Sequence, residues 1–202
     1  MGFDFSSLIT PFLTVVATIF IAELTDKDAL LLLTLATRIK PQIAFAAGAT
    51  AFTITSAIIV TVGYFLVSIV PVFWIRLVGG IVMIGFAIWQ YVSSGQEESE
   101  EKRLLERTKR RSILSIFIGA VSLLMLLDLT GDATEVLTIV LVARFSNVLL
   151  VFLGAVLALV AASAVDTILG SRLKKYLSAK RLRSLSLLVL LVIGSLIVLS
   201  SF

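Results

Sequence analysis

The sequence predicts an all-α polytopic membrane protein, with six transmembrane helices forming two inverted three-helix repeats in one membrane domain. Three observations predict it. Hydrophobic residues make up 59% of the 202-residue chain and mean hydropathy is +1.11, where soluble domains carry about 45–50% apolar residues. Those residues gather into six long stretches separated by proline, charge or polar segments. A gapless shift of 106 residues lays Thr25-Asp26 on Gly131-Asp132, Arg38 on Arg144 and Gly48 on Gly154.

Span 1 covers about residues 9–36 and is closed by Arg38-Ile39-Lys40-Pro41. Its middle holds Glu23, Asp26, Lys27 and Asp28, although each charge near a bilayer centre costs roughly 2.5–3.5 kcal/mol on insertion scales. Span 2, about 42–70, is rich in small and hydroxyl residues such as Ala46, Ala47, Gly48 and Ser56, which suits close helix packing. Pro71 turns the chain into span 3, about 72–92, with Trp74 near one end and Trp89 and Tyr91 near the other, as interfacial aromatic belts require. Residues 1–92 make the first repeat.

Residues 93–112 form a charged linker with five Glu and six Lys or Arg, expected to be a solvated connector. The second repeat, 113–202, follows. Span 4, about 113–143, holds Asp128, Thr130, Asp132, Thr134 and Glu135. Span 5, about 148–169, has Asp166 near its end and leads into a basic loop from Arg172 to Arg183. Span 6, about 185–201, has no charge.

Charge placement sets the expected orientation. Of 17 Lys and Arg, 14 fall at Arg38 and Lys40, between Lys102 and Arg111, and between Arg172 and Arg183. With six spans these loops share one side, which the positive-inside rule makes cytoplasmic, leaving both termini external. Clusters that border apolar spans report orientation rather than nucleic-acid binding. The opening residues have no basic n-region and no small-residue cleavage pattern, so no cleaved signal peptide is expected. Cysteine and histidine are absent, which excludes disulfides, thiolate or imidazole metal sites and Cys/His nucleophiles.

Three spans per half is an odd number, so the second half enters the membrane from the opposite side. In inverted repeats of this kind the substrate site lies near the midplane, often on interrupted helices. Spans 1 and 4 are about 28 and 31 residues long where about 20 suffice, so breaks or strong tilt are expected in both. On a continuous helix Glu23, Asp26 and Lys27 share a face while Asp28 points away; Asp128, Asp132 and Glu135 share a face in span 4. Carboxylates crowded in a dry interior stay ionised only beside a cation and otherwise take up protons. Such a site exchanges cation for proton. With Thr25, Thr130 and Thr134 as further oxygen ligands, it suits Ca²⁺, Mg²⁺ or Mn²⁺ over soft metals. Lys27, with Asp28, is read as an ion-pair or gating element. Ion pairing alone does not account for six acids facing one base. The hydroxyls of Ser56 and Ser163 are read as packing groups, and Asp28 and Asp166 are each read as equally suited to an interfacial or structural role and to a functional one.

At these residues the chain resembles the transmembrane protein 165 family of cation/proton exchangers, whose two halves each carry Glu-x-Gly-Asp-(Lys/Arg)-(Ser/Thr). In the first motif Glu23, Asp26 and Lys27 match, Thr25 replaces the glycine and Asp28 the hydroxyl residue. In the second, Gly131, Asp132 and Thr134 match, Ala133 replaces the base, and Leu129 stands at the glutamate position, where Asp128 or Glu135 could substitute. The resemblance implies that a divergent prokaryotic member moves Mn²⁺ or Ca²⁺ against protons across the cytoplasmic membrane, with the motif acids as ligands. The expected partners are the transported cation and the lipid bilayer, with a homodimer allowed, no nucleic acid and no tightly bound cofactor. Three other readings remain: a transporter of Na⁺ or a cationic amino acid, an intramembrane aspartyl protease, and a purely structural role. No enzyme activity is expected.

Overall fold

The computed structural model describes residues 5–24, 26–92, 112–129, 133–145, 147–173 and 179–200. These form eight helices, and among the described residues there is no strand. They are α1 (Phe5–Glu23), α2 (Lys27–Arg38), α3 (Pro41–Ile69), α4 (Val72–Val92), α5 (Ile113–Leu129), α6 (Ala133–Phe145), α7 (Val148–Leu173) and α8 (Ala179–Leu199). Apart from Ser112, the charged linker lies outside the described residues.

Local chemistry sets several boundaries. Pro41 occupies the first turn of α3, where its missing N–H forfeits no helical hydrogen bond. Pro71 stops α3 short and opens α4, with the Trp74 amide donating to the Pro71 carbonyl at 2.9 Å. Asn147 caps α7, its Oδ1 accepting from the Leu150 amide at 3.1 Å. Within the helices, Thr14, Thr18, Thr53, Thr138 and Ser163 each donate to the carbonyl four residues back, which satisfies hydroxyls that hydrocarbon leaves without a partner.

Three helices are long and apolar enough to cross a membrane: Pro41–Ile69, Val72–Trp89 and Val148–Leu169. Shorter apolar helices cover Leu8–Glu23, Ile113–Leu126 and Leu190–Leu199. The outward surface carries large apolar side chains, among them Phe65, Ile81, Leu153 and Leu196, as a chain solvated by lipid requires. Span 1 is two helices in succession, α1 and α2, so its expected interruption is present; the expected interruption of span 4, between α5 and α6, falls at residues 130–132, outside the described residues. The start of span 6 differs from expectation: α8 begins at Ala179, taking Lys180, Arg181 and Arg183 into its first two turns. Long basic side chains can extend to water from a helix end, so their charge does not end the helix.

The packing pairs are related by exchange of the halves. Helix α3 packs on α7, and α4 on α8. Helix α1 packs on α7, and its counterpart α5 packs on α3. The same swap relates α2–α7 to α6–α3, and α1–α6 to α5–α2. Only α4–α6 and α1–α8 lack a counterpart of comparable extent.

Small residues permit these approaches. A Cβ on Gly48 would lie 2.9 Å from Leu32 Cδ2 and 3.2 Å from Ser163 Oγ, and one on Gly154 would lie 2.7 Å from Val15 Cγ1. These two glycines are the pair matched by the sequence shift. One buried cluster joins Ala22, Leu31, Phe52, Leu124, Ala133 and Ala155, so both motif spans contribute to a common core.

Candidate cation site

The first break follows from what its residues can and cannot do. Helix α1 stops at Glu23; the Leu24 amide still reaches the Phe20 carbonyl at 3.1 Å, but the Asp26 amide turns to the Glu23 carbonyl at 3.0 Å. That tighter step ends the α-helical ladder, and α2 restarts at Lys27. Each half-helix end adds backbone groups without helical partners. The macrodipoles place a partial negative charge at the end of α1 and a partial positive charge at the start of α2.

Glu23, Asp26 and Asp28 are all buried, none exposing more than 3% of its surface. A single helical wheel puts Asp28 off the face of Glu23, and here the wheel fails. The turn between α1 and α2 resets the helical phase, and Asp28 sits in the first turn of α2, facing inward.

In the second span, residues 130–132 lie outside the described residues, and a helix is described on either side of them. Helix α5 ends at Leu129 and α6 starts at Ala133. Asp128 is buried in the last turn of α5, Thr134 is buried in the first turn of α6, and Glu135 is half-buried beside it. The Thr134 Oγ is enclosed and makes no hydrogen bond among the described residues, while the Thr134 carbonyl accepts from Thr138 at 2.8 Å.

Helix α1 packs on α6 and α2 on α5, so the two motif spans lie side by side. Among the described residues, no three acids gather as a group able to hold a metal ion. Asp132, Thr25 and Thr130 lie outside the described residues, as does the side chain of Lys27.

A family model described as the divalent cation/proton antiporter GDT1 matches residues 11–98 and, separately, residues 109–202. The chain belongs to this family. GDT1 proteins are transporters rather than enzymes, and the double match assigns one copy of the family unit to each half of this chain. No curated protein and no solved structure matches it. Membership agrees with the resemblance carried by Glu23, Asp26, Lys27, Gly131, Asp132 and Thr134.

One buried acid falls outside the GDT1 motif segments. Asp166 of α7 exposes 3% of its surface, and its Oδ2 makes no hydrogen bond among the described residues. The neighbouring Thr167 hydroxyl is likewise enclosed and without a partner among the described residues. The sequence signal for Asp166 was present, a lone acid in an apolar span; its position near the span's end concealed how deeply it is buried. Ser163, one turn earlier, donates to the Leu159 carbonyl at 2.8 Å and abuts Gly48, as a packing group would.

Proposed function

We propose that this chain moves a divalent cation, Mn²⁺ or Ca²⁺, across a prokaryotic cytoplasmic membrane in exchange for protons. The site lies at the two helix breaks, near the midplane. The chain crosses six times as two inverted halves, with the basic loops cytoplasmic and both termini external. Family membership, the exchange of packing partners between the halves and the interruption of span 1 support this reading.

One observation carries it. Helix α1 ends inside the core with the buried Glu23 in its last turn, and the buried Asp128 stands in the last described turn of α5. A carboxylate at a helix C-terminus adds its charge to the negative end of the macrodipole, which favours a cation there. Discontinuous helices coordinate transported cations with such ends. Asp26 occupies the first break and Asp132 the matching position of the second, completing a shell of oxygen donors with Thr25, Thr130 and Thr134. When the cation leaves, the crowded acids take up protons, which couples the two fluxes.

The helix ends also divide the acids by role. Asp28 and Glu135 stand in the first turns of α2 and α6, where the positive end of the dipole already stabilises them. Asp128, at a C-terminal end like Glu23, therefore takes the place of the glutamate missing from the second motif, and Glu135 does not. Lys27, between Asp26 and Asp28, lowers the net charge of the site.

In proteoliposomes carrying a Mn²⁺ indicator and a pH dye, Asp26→Asn and Asp132→Asn should each abolish cation-coupled proton flux in protein that remains folded. Retained flux in both variants would overturn the reading.

A further inference from the structure

Four helices, α1, α4, α6 and α8, enclose a groove of about 440 Å³ between the two halves. It lies where the exchange of packing partners fails, since α4–α6 and α1–α8 are the contacts without a counterpart. Its lips, Ile21 on α1 and Leu188, Val192 and Leu196 on α8, are exposed on the apolar surface, so the groove opens sideways into lipid. Arg76 and Arg144 also line it, and among the described residues no acid does.

The arginines sit toward one membrane face. Arg76 is in the second turn of α4, Arg144 is the penultimate residue of α6, and Ser200, just past the end of α8, shares their cavity. The Arg76 Nε is enclosed and makes no hydrogen bond among the described residues. The Arg144 guanidinium lies 5.6 Å from the ring centre of Phe145. A buried guanidinium N–H without an acceptor is costly, and two guanidiniums without an acid repel the cations this family carries. The groove is thus unsuited to a cation path and complementary to an anionic amphiphile. Guanidinium binds phosphate through paired hydrogen bonds, and the apolar walls between α1 and α8 accept a hydrocarbon chain.

We propose that this groove binds one anionic phospholipid, its phosphate held by Arg76 and Arg144 and one acyl chain lying between α1 and α8. The lipid comes from the leaflet on the Arg76 side and lies between the two halves where α1 and α8 are only sparsely packed. This site is separate from the acids of the helix breaks and does not depend on the proposed exchange reaction.

The test is native mass spectrometry of the full chain in neutral detergent, titrated with phosphatidylglycerol and phosphatidylcholine bearing identical acyl chains. One phosphatidylglycerol should be retained per chain, with at least a tenfold preference over phosphatidylcholine. Arg76→Gln with Arg144→Gln should abolish that preference. Leu196→Trp, which fills the groove at an exposed position and keeps both arginines, should displace the lipid. Equal retention of the two lipids by the unaltered chain, or a preference that survives in either variant, overturns the proposal. Inorganic phosphate binding as tightly as the lipid also overturns it, because the groove would then contribute nothing.

Discussion

Gly80 of α4 and Gly194 of α8 meet backbone to backbone: a Cβ on Gly80 would lie 2.9 Å from the Gly194 carbonyl oxygen, and one on Gly194 would lie 3.0 Å from the Gly80 carbonyl oxygen. The contact is reciprocal, and it joins the last helix of one half to the last helix of the other. Side chains of Val198 and Ile84 also crowd these positions, but because backbone atoms obstruct them too, a change of rotamer alone does not make room. Gly80→Val and Gly194→Val should each destabilise the fold by about 1–3 kcal/mol, the usual range for overpacking a close contact. Thermal unfolding in detergent measures this, and an unchanged midpoint in both variants would show that the helices are not this close. Gly85, with open space where its Cβ would be, should accept alanine without loss and serves as the control.

Asp128 and Glu135 separate by the helix ends they occupy. Asp128→Asn should weaken cation affinity by more than about tenfold, the scale seen when ligation is disturbed at metal sites, with little change in thermal stability. Glu135→Gln should do the opposite, leaving exchange largely intact while removing about 0.3–1 kcal/mol of helix-end stabilisation. Cation-dependent proton flux and thermal unfolding, measured on the same preparations, distinguish the two. Loss of flux in Glu135→Gln alone would reverse the assignment.

Asp166 makes a prediction of opposite sign. A carboxyl oxygen enclosed without a hydrogen-bond partner is destabilising by about 1–3 kcal/mol. Asp166→Leu should therefore raise the unfolding midpoint, whereas removing one member of a structural ion pair would lower it. A lower midpoint would show that the carboxyl has a partner in the folded protein.

Thr134 makes a narrower test. Its hydroxyl is enclosed and donates no hydrogen bond among the described residues, so Thr134→Val removes an oxygen donor and leaves the packing volume nearly unchanged. Apparent cation affinity in the flux assay should fall several-fold with the fold intact. Unchanged affinity would remove Thr134 from the site.

The break in span 1 was legible because a span of about 28 residues is longer than a bilayer needs, and because the acids mark where the ladder stops. The inward position of Asp28 was not. A helical wheel assumes one continuous helix, and the turn at residues 24–26 invalidates it. The start of α8 was hidden by Lys180, Arg181 and Arg183, whose charge reads as loop although long side chains let a helix begin among them. The Gly80–Gly194 contact was invisible for another reason. A gapless shift of 106 places Gly80 on Ser186 rather than on Gly194, because equivalent positions in the last helices are offset differently from those in the motif spans. Which of the six acids share a dipole end could be assigned only once the boundaries of α1, α2, α5 and α6 were known.

The exchange of packing partners has an architectural consequence. Helix α1 rests on α7 and α5 rests on α3, so the wall behind each motif is built by the opposite half. A three-helix half on its own would expose the flank that carries its acids, and so it is not a self-sufficient unit. On the inverted arrangement proposed above, a protein made from a single such unit would assemble as an antiparallel pair. Joining the two copies in one chain would fix that opposed insertion and leave their sequences free to diverge, as they do at Lys27 and Ala133.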